Sequence, residues 1–361
     1  MLGKRKLVLD TWCEVYDLLK PWADAEFWNL QEHLDNNELV VGATYLIGRE
    51  QLRLNPQRVR DLLAQDLAKV VFSNPAEGSE TMINHCKNIS IMDLVEQKKL
   101  FLLVGGDVPE HLPHLFYENF LPKILDYDEN LQAIRDYQER FGMQRPYKFL
   151  FLNGRARWHR TYLLDRLAPM LDQCLWTNLD SVNGPIKLLD QKYEVPRFAK
   201  PIDIPVSGCV KNELFGLGIW GDIIMCAEPY LDTYFSLVTE TVHAVPYSFR
   251  TEKIWKPVAI GHPWIVAASQ GYYRDMRNLG FRTFNHLIDE SFDQIENNRD
   301  RLDRTVEVIK DLCQQDLSSF LATAQETCKY NQQRLVELRT EVRNQFPGRF
   351  FEFARRYQLD E

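Results

Sequence analysis

Short apolar runs of strand length, separated by segments of helical periodicity, recur along most of this chain. KLVLD (6–10), ELVVGATYLI (38–47), KVVFSN (69–74) and KLFLLVGG (99–106) read as strands. Between them, NPQRVRDLLAQDLA and SETMINHCKNI read as helices, the first opened by the Asn55 cap and by Pro56 at the first helical position. Strands alternating with helices of this length predict a mostly parallel sheet joined by right-handed crossovers. The fold class expected is therefore α/β.

Residues 112–142 read as helical with one polar face, and the pattern breaks at FGMQRPYK, where Gly142 and Pro146 stand. A second α/β series follows: YKFLFLN (147–153) as a strand, HRTYLLDRLAPML as a helix and QCLWTNL as a strand. An excursion loop rich in Pro, Asp and Lys spans about 180–205. The series resumes with TYFSLVTET, the helix-like SFRTEKIWKPVAIG, PWIVAAS and LGFRTF. From Asp293 the chain is helical and strongly charged, with apolar residues at three-to-four spacing, and reads as an amphipathic helical cap. For 361 residues this gives an N-terminal domain over 1–143, a second α/β domain over 144–290 and C-terminal helices over 291–361. Two such domains imply a cleft.

Composition narrows the function classes. A net charge of −8 leaves no chain-wide basic field for nucleic acid or an anionic membrane, so any anion site must be local. No apolar run reaches the roughly 18 residues of a spanning helix. MLGKRKLVLD has an apolar stretch of strand length only, so it reads as a first strand rather than a secretory signal, and a cytoplasmic location is expected. The 7 cysteines contain no CxxC pair, which favours buried, reduced thiols over a zinc site.

In a parallel sheet, ligands bind beyond the carboxyl ends of the strands, where loops turn into helix N-termini. Two stretches meet that condition. In FLFLNGRARWHRTYLLDRL the strand ends at Asn153, and Arg155, Arg157, His159 and Arg160 crowd the helix start; guanidinium forks beside helix-terminal N–H groups suit a diphosphate. The plain alternative is a solvated basic turn. In the second stretch Glu240 ends a strand, placed to accept from ribose hydroxyls. Arg250, Thr251, Glu252 and Lys253 then begin a helix, where an ammonium can meet phosphate and a carboxylate a sugar hydroxyl. There the alternative is an ordinary surface charge pair.

FSLVTET, a spacer, and then Tyr247-Ser-Phe-Arg-Thr-Glu-Lys-Ile-Trp resemble the donor-binding signature of the α1,3-fucosyltransferase family. That signature is a strand ending in F-E-N-S, then Y-I-T-E-K-x-W and a small-residue-rich helix leading to a further strand. The FLFLNGRARWHRTYLLDRL run is similar to the family's strand-S-N-x-R-x-x-Y segment. The resemblance covers roughly residues 147–285. It implies a GT-B architecture: two Rossmann-like domains facing a cleft, the nucleotide-sugar held by the C-terminal one. Carried over by position, Arg160 would contact the diphosphate, Glu240 the ribose, and Glu252 with Lys253 the sugar and phosphate. Thr241 stands where the family has Asn, Ser248-Phe249-Arg250 replaces D-Y-I, and GFRTFNHLIDESFD is closer to uncharacterised, often phage-encoded relatives. GDP-linked and UDP-linked sugars are thus both expected donors, used as co-substrate with no further cofactor.

Inverting sugar transfer needs a carboxylate to take the acceptor proton and cations to stabilise the departing diphosphate. Arg157, Arg160 and Lys253 suit the second part. For the base, Glu77, Asp107 and Glu110 follow strand-like runs of the N-terminal domain, the first two beside Gly78 and Gly106. Each taken alone reads first as an ordinary loop carboxylate and second as a base, and His111, His114 and His262 as ordinary surface or core residues. Asp126-Tyr127-Asp128 has the Asp-x-Asp form of a metal-dependent transferase but follows a helical pattern, so it reads as an interhelix turn and no metal is expected. The expected activity is glycosyl transfer to a glycan or similar hydroxyl acceptor. The alternatives are a phage-type DNA-modifying glycosyltransferase, with FPGRFFEFARRYQ as its only basic-aromatic support, and a non-catalytic nucleotide-sugar-binding protein.

Overall fold

The computed structural model describes residues 5–11, 13–27, 38–43, 56–66, 68–106, 108–153, 157–178, 223–245 and 247–359. The chain divides into two compact units, Met1–Asn119 with Arg339–Glu361, and Phe120–Leu338. Each is built on a parallel sheet, so the protein is α/β with two Rossmann-like halves.

Unit 1 carries β1 (Lys6–Asp10), β2 (Ala25–Phe27), β3 (Glu38–Ala43), β4 (Ala68–Asn74), β5 (Leu100–Val104) and β6 (His114–Phe116) in the order β2-β1-β3-β4-β5-β6. Side-chain alternation sorts the strands onto two buried faces. Leu7, Leu9, Leu39, Val41, Phe101 and Leu103 point one way; Val8, Val40, Val70, Phe72, Leu100 and Leu102 point the other. Both faces are covered, which is why these strands read as unbroken apolar runs rather than alternating ones. One cover comes from α2 (Pro56–Ala64), α3 (Ser79–Asn88) and α4 (Met92–Glu96), through Val59, Leu63, Met82 and Val95. On the other face lie Leu19 of α1 (Tyr16–Leu19) and the C-terminal residues Phe346, Phe350 and Phe353.

The stretch expected to be helical over 112–142 is broken. His114–Phe116 pairs with β5, Leu103 opposite Leu115, and helix begins only with α5 (Phe120–Lys123) and α6 (Asp128–Glu139). Three strand residues are too few to show alternation in a sequence. The boundary between the units falls at Asn119/Phe120, where the sequence reading puts it after 143. Tertiary bonds account for the difference: the buried Asn130 side chain donates to the carbonyls of Ile124 and Ile223 and accepts from the Met225 N–H, tying α6 into unit 2. Asp126 and Tyr127 lie in the turn between α5 and α6, and Asp128 opens α6.

Unit 2 continues with β7 (Tyr147–Asn153), α7 (Trp158–Leu167), β8 (Leu175–Asn178), α8 (Glu228–Leu231), β9 (Thr233–Thr239), α9 (Glu252–Ile260), β10 (Trp264–Ala267), α10 (Tyr272–Asn278) and α11 (Asn298–Leu312). The last helix, α12 (Leu317–Arg356), begins in unit 2 and ends in unit 1. LGFRTF (279–284) has no regular structure, and the excursion expected over 180–205 lies outside the described residues. The four strands are parallel in the order β10-β9-β7-β8.

The local chemistry of α9 explains its bounds. Thr251 is extended and its hydroxyl accepts from the Lys253 N–H, the capping arrangement that satisfies an otherwise orphaned donor. The helix buries Ile254, Trp255, Val258 and Ile260 and packs on α5 and α6. It stops at Gly261, whose φ of +85° is cheap only for glycine, and the N–H groups of Gly261 and His262 both close on the Pro257 carbonyl. That turn delivers the chain into β10.

Among the described residues no helix is long and apolar enough to cross a membrane. Cys13, Cys86, Cys174, Cys313 and Cys328 are buried free thiols and Cys226 is a half-buried one, while Cys209 lies outside the described residues. Burial pushes the Cys86 thiol up to about 12, so it is inert at neutral pH.

Candidate functional site

Strand order locates the crevice of unit 2. From β7 the chain steps to β8 on one side; β9 then lies on the other side of β7, and β10 continues outward from it. The order therefore reverses between β7 and β9, and ligands of open parallel sheets bind at the carboxyl ends of the two strands flanking such a reversal. Those ends are Asn153 and Thr239, with Glu240 the residue that follows. Both basic stretches of the sequence reading follow them.

The two junctions are bonded to one another. Asn153, at the end of β7, accepts through Oδ1 from the Thr239 hydroxyl at the end of β9, 2.8 Å away. From the first turn of α7, Arg160 Nη2 donates to the Thr239 carbonyl at 3.1 Å and reaches the Glu240 carbonyl at 3.4 Å. His159 Nε2 lies 2.9 Å from that same Glu240 carbonyl, which fixes Nε2 as the protonated nitrogen. The Glu240 carboxylate turns the other way. Its Oε1 accepts from the Thr251 N–H at 3.1 Å and the Tyr272 hydroxyl at 3.0 Å, and its Oε2 from the Thr251 hydroxyl at 2.6 Å.

These bonds divide the residues named from the sequence by what each can reach. Asn153, His159, Arg160, Glu240 and Thr251 are each 3% exposed or less, so they build the crevice wall. Burial, then His243 and Arg160, hold the His159 imidazole well below its ordinary pKa, so it is neutral. Burial raises the Glu240 carboxyl, although Lys253 and the Thr251 bonds oppose it. Solvent access falls to Arg157, the residue before α7, and to Lys253 and Lys256 on α9. Glu252 is buried and paired with Lys253. Burial pushes its carboxyl up, but Lys253 and Lys256 outweigh that and leave it below its ordinary pKa, hence ionised. Arg250 is 8% exposed. Arg155 lies outside the described residues.

Chemically, the crevice combines two helix N-termini, α7 and α9, with cationic side chains on the same turns. Each helix end presents N–H groups and a partial positive charge, which together with an ammonium or guanidinium suits a doubly charged anion. Lys256 was absent from the sequence reading; one turn beyond Lys253 on the same helical face, it was legible from i,i+3 spacing. Two further participants were not legible. His243, 3% exposed, stacks on His159 at 5.0 Å and 16°, and Tyr272 comes from the helix after β10. Their partners are remote in sequence.

The carboxylates considered as a base belong to unit 1. Glu77 is half-buried in the turn after β4, its N–H on the Asn74 carbonyl, and Glu110 is exposed in the loop between β5 and β6. Asp107 lies outside the described residues. His111 is exposed, and His114 opens β6 with Nδ1 2.9 Å from the Leu112 carbonyl. His262 is a core residue of unit 2, bonded to Ser236 at 2.9 Å and to the Thr233 carbonyl at 2.8 Å, and burial with Arg145 nearby holds it neutral. Among the described residues no group of three or more His, Cys, Asp or Glu side chains is gathered as for a metal ion. No protein-family model, no curated protein and no solved structure matches the chain.

Proposed function

We propose that unit 2 binds a nucleotide-diphosphate-sugar and that the protein transfers the sugar, with inversion, to a hydroxyl acceptor such as a glycan, in the manner of a GT-B enzyme of the fucosyltransferase type. One observation carries this reading: the reversal of strand order between β7 and β9 coincides with the two basic helix starts. In this reading the diphosphate meets the N–H groups of α7 and α9, with Arg157, Lys253 and Lys256 supplying charge to the leaving group. Arg160, His159 and Glu240 position those helices. That differs from the roles the family resemblance implies for Arg160 and Glu240, because Arg160 Nη2 and both Glu240 carboxylate oxygens bond to the protein itself. The ionised Glu252 beside Lys253 is left to orient a sugar hydroxyl. The acceptor and the base, from Glu77, Asp107 or Glu110, are assigned to unit 1.

The test is a thermal-shift panel of UDP, GDP, CDP and dTDP with their sugar conjugates. A ligand that binds only the folded state raises the melting temperature in proportion to ln(1 + [L]/Kd). One nucleotide family should stand out, and its shift should shrink in Lys253→Ala and Arg157→Ala. An equal response of both variants and the parent would overturn the site.

A further inference from the structure

A cleft of about 500 Å3 opens in unit 2 between the segment that follows α10 and the early turns of α12. Phe284 of that segment packs edge-on against Trp264, the first residue of β10, with ring centroids 5.3 Å apart. The cleft thus lies towards the amino edge of the sheet, away from the crevice at the carboxyl ends of β7 and β9.

We infer that this cleft is a second ligand site, for a polyhydroxylated molecule bearing an anionic group: an acidic oligosaccharide or a sugar phosphate. Its volume falls in the roughly 300–1,000 Å3 of small-ligand sites. The wall is fixed before any ligand arrives. Asn331, 1% exposed, accepts from the Arg282 N–H and donates to the Arg282 carbonyl, both at 2.8 Å, clamping the segment to α12. Arg334 Nε donates to the Leu279 carbonyl at 2.8 Å, and Gly280 takes a φ of +89° there. A site held this way spends little affinity on ordering.

The chemistry of the lining sets the ligand class. Arg277 Nη1 is held by the Thr283 hydroxyl at 3.1 Å and by Glu290 at 2.9 Å, and the Glu290 side chain is only 8% exposed, so that charge is matched internally. Arg282 differs. Its guanidinium lies 3.9 Å over the Tyr330 ring, and its carboxylate neighbour Glu326 is 89% exposed at 3.4 Å, a pair worth little in water. Arg282 is therefore the cation offered to a ligand. Thr323 and Thr327 add hydroxyls; Thr323 already donates to the Ser319 carbonyl, leaving its oxygen as an acceptor, whereas the Thr283 hydroxyl is taken up by Arg277 and Glu290. Sugar hydroxyls, which both donate and accept, match this mixed lining.

Titration calorimetry on the whole protein tests this independently of the donor reading. The probes are a uronic-acid-containing tetrasaccharide, glucose 6-phosphate, neutral maltotetraose and inorganic phosphate. One of the two anionic sugars should bind at least ~10-fold more tightly than maltotetraose and phosphate, and Arg282→Ala should weaken it by ~10-fold or more. Lys253→Ala should leave it unchanged. Which anionic sugar binds distinguishes carboxylate from phosphate sources. Arg282→Lys keeps the charge without the planar fork and guards against a misfolded alanine variant; it should retain part of the affinity. Absence of binding by both anionic sugars, equal binding of phosphate alone, binding untouched in both Arg282 variants, or loss in Lys253→Ala would each overturn the inference.

Discussion

Replacing Glu240 separates a buried latch from a ligand contact. Its carboxylate is fully buried and accepts three bonds, two from Thr251 and one from Tyr272, so it joins the start of α9 to α10. Glu240→Ala strips the acceptor from the Thr251 N–H and hydroxyl, and a buried donor deprived of its acceptor costs about 1–3 kcal/mol. With the smaller loss at Tyr272 and the void left by the side chain, the expected destabilisation of unit 2 is about 3–5 kcal/mol. Glu240→Gln keeps a carbonyl for the Thr251 N–H, and the Thr251 hydroxyl can turn to accept from the new amide. Loss of charge assistance is offset by no longer burying a charge, so about 1 kcal/mol is expected. Urea unfolding followed by tryptophan fluorescence reads both, since Trp255 and Trp264 are buried in unit 2. An alanine variant within about 0.5 kcal/mol of the parent would refute the latch. So would a glutamine variant that keeps its stability yet loses nucleotide affinity ~10-fold, because a latch does not touch the ligand.

Two other consequences follow from the geometry. His243 and His262 are held neutral by burial, with Arg301 and Arg145 respectively adding to the effect, at a pKa of about 3 against an ordinary 6.5. The unfolded chain therefore binds more protons between those values: their contribution to stability is complete above about pH 6.5 and declines as pH falls towards 3, at up to about 1.4 kcal/mol per unit for each. Urea midpoints from pH 7 to 5 should show this, with a shallower slope in His262→Gln; an unchanged slope would contradict it. Gly261→Ala puts a Cβ at φ +85° and 2.9 Å from the Gln332 amide, and should cost roughly 1–2 kcal/mol by thermal unfolding, whereas Gly142→Ala, with nothing within 4 Å, should be near neutral.

The strands were legible because burial on both faces writes itself as continuous apolar runs; Tyr147–Asn153 and Lys6–Asp10 coincide with the runs read from the sequence. β2 and β6 were not, since three residues carry no period. The place of the C-terminal helix was illegible for another reason. An amphipathic stripe shows that Phe346, Phe350 and Phe353 are buried, but not that they cover the sheet of the first unit. The same limit applies to the crevice. Sequence pattern marked the junctions after β7 and β9, yet Arg160 and Glu240 look like ligand-facing charges until their bonds to Thr239, Thr251 and Tyr272 are seen. A charge at a helix start serves a ligand or the fold according to long-range contacts.

The proposed donor crevice between β7 and β9 is tested most directly by hydrogen–deuterium exchange with and without the nucleotide-sugar that gives the largest thermal shift. Slowed exchange is predicted at the amides of 157–161 and 251–254, the two helix starts, and should be lost together in Lys253→Ala. Protection confined to other segments, with these amides exchanging as in the free protein, would contradict the account.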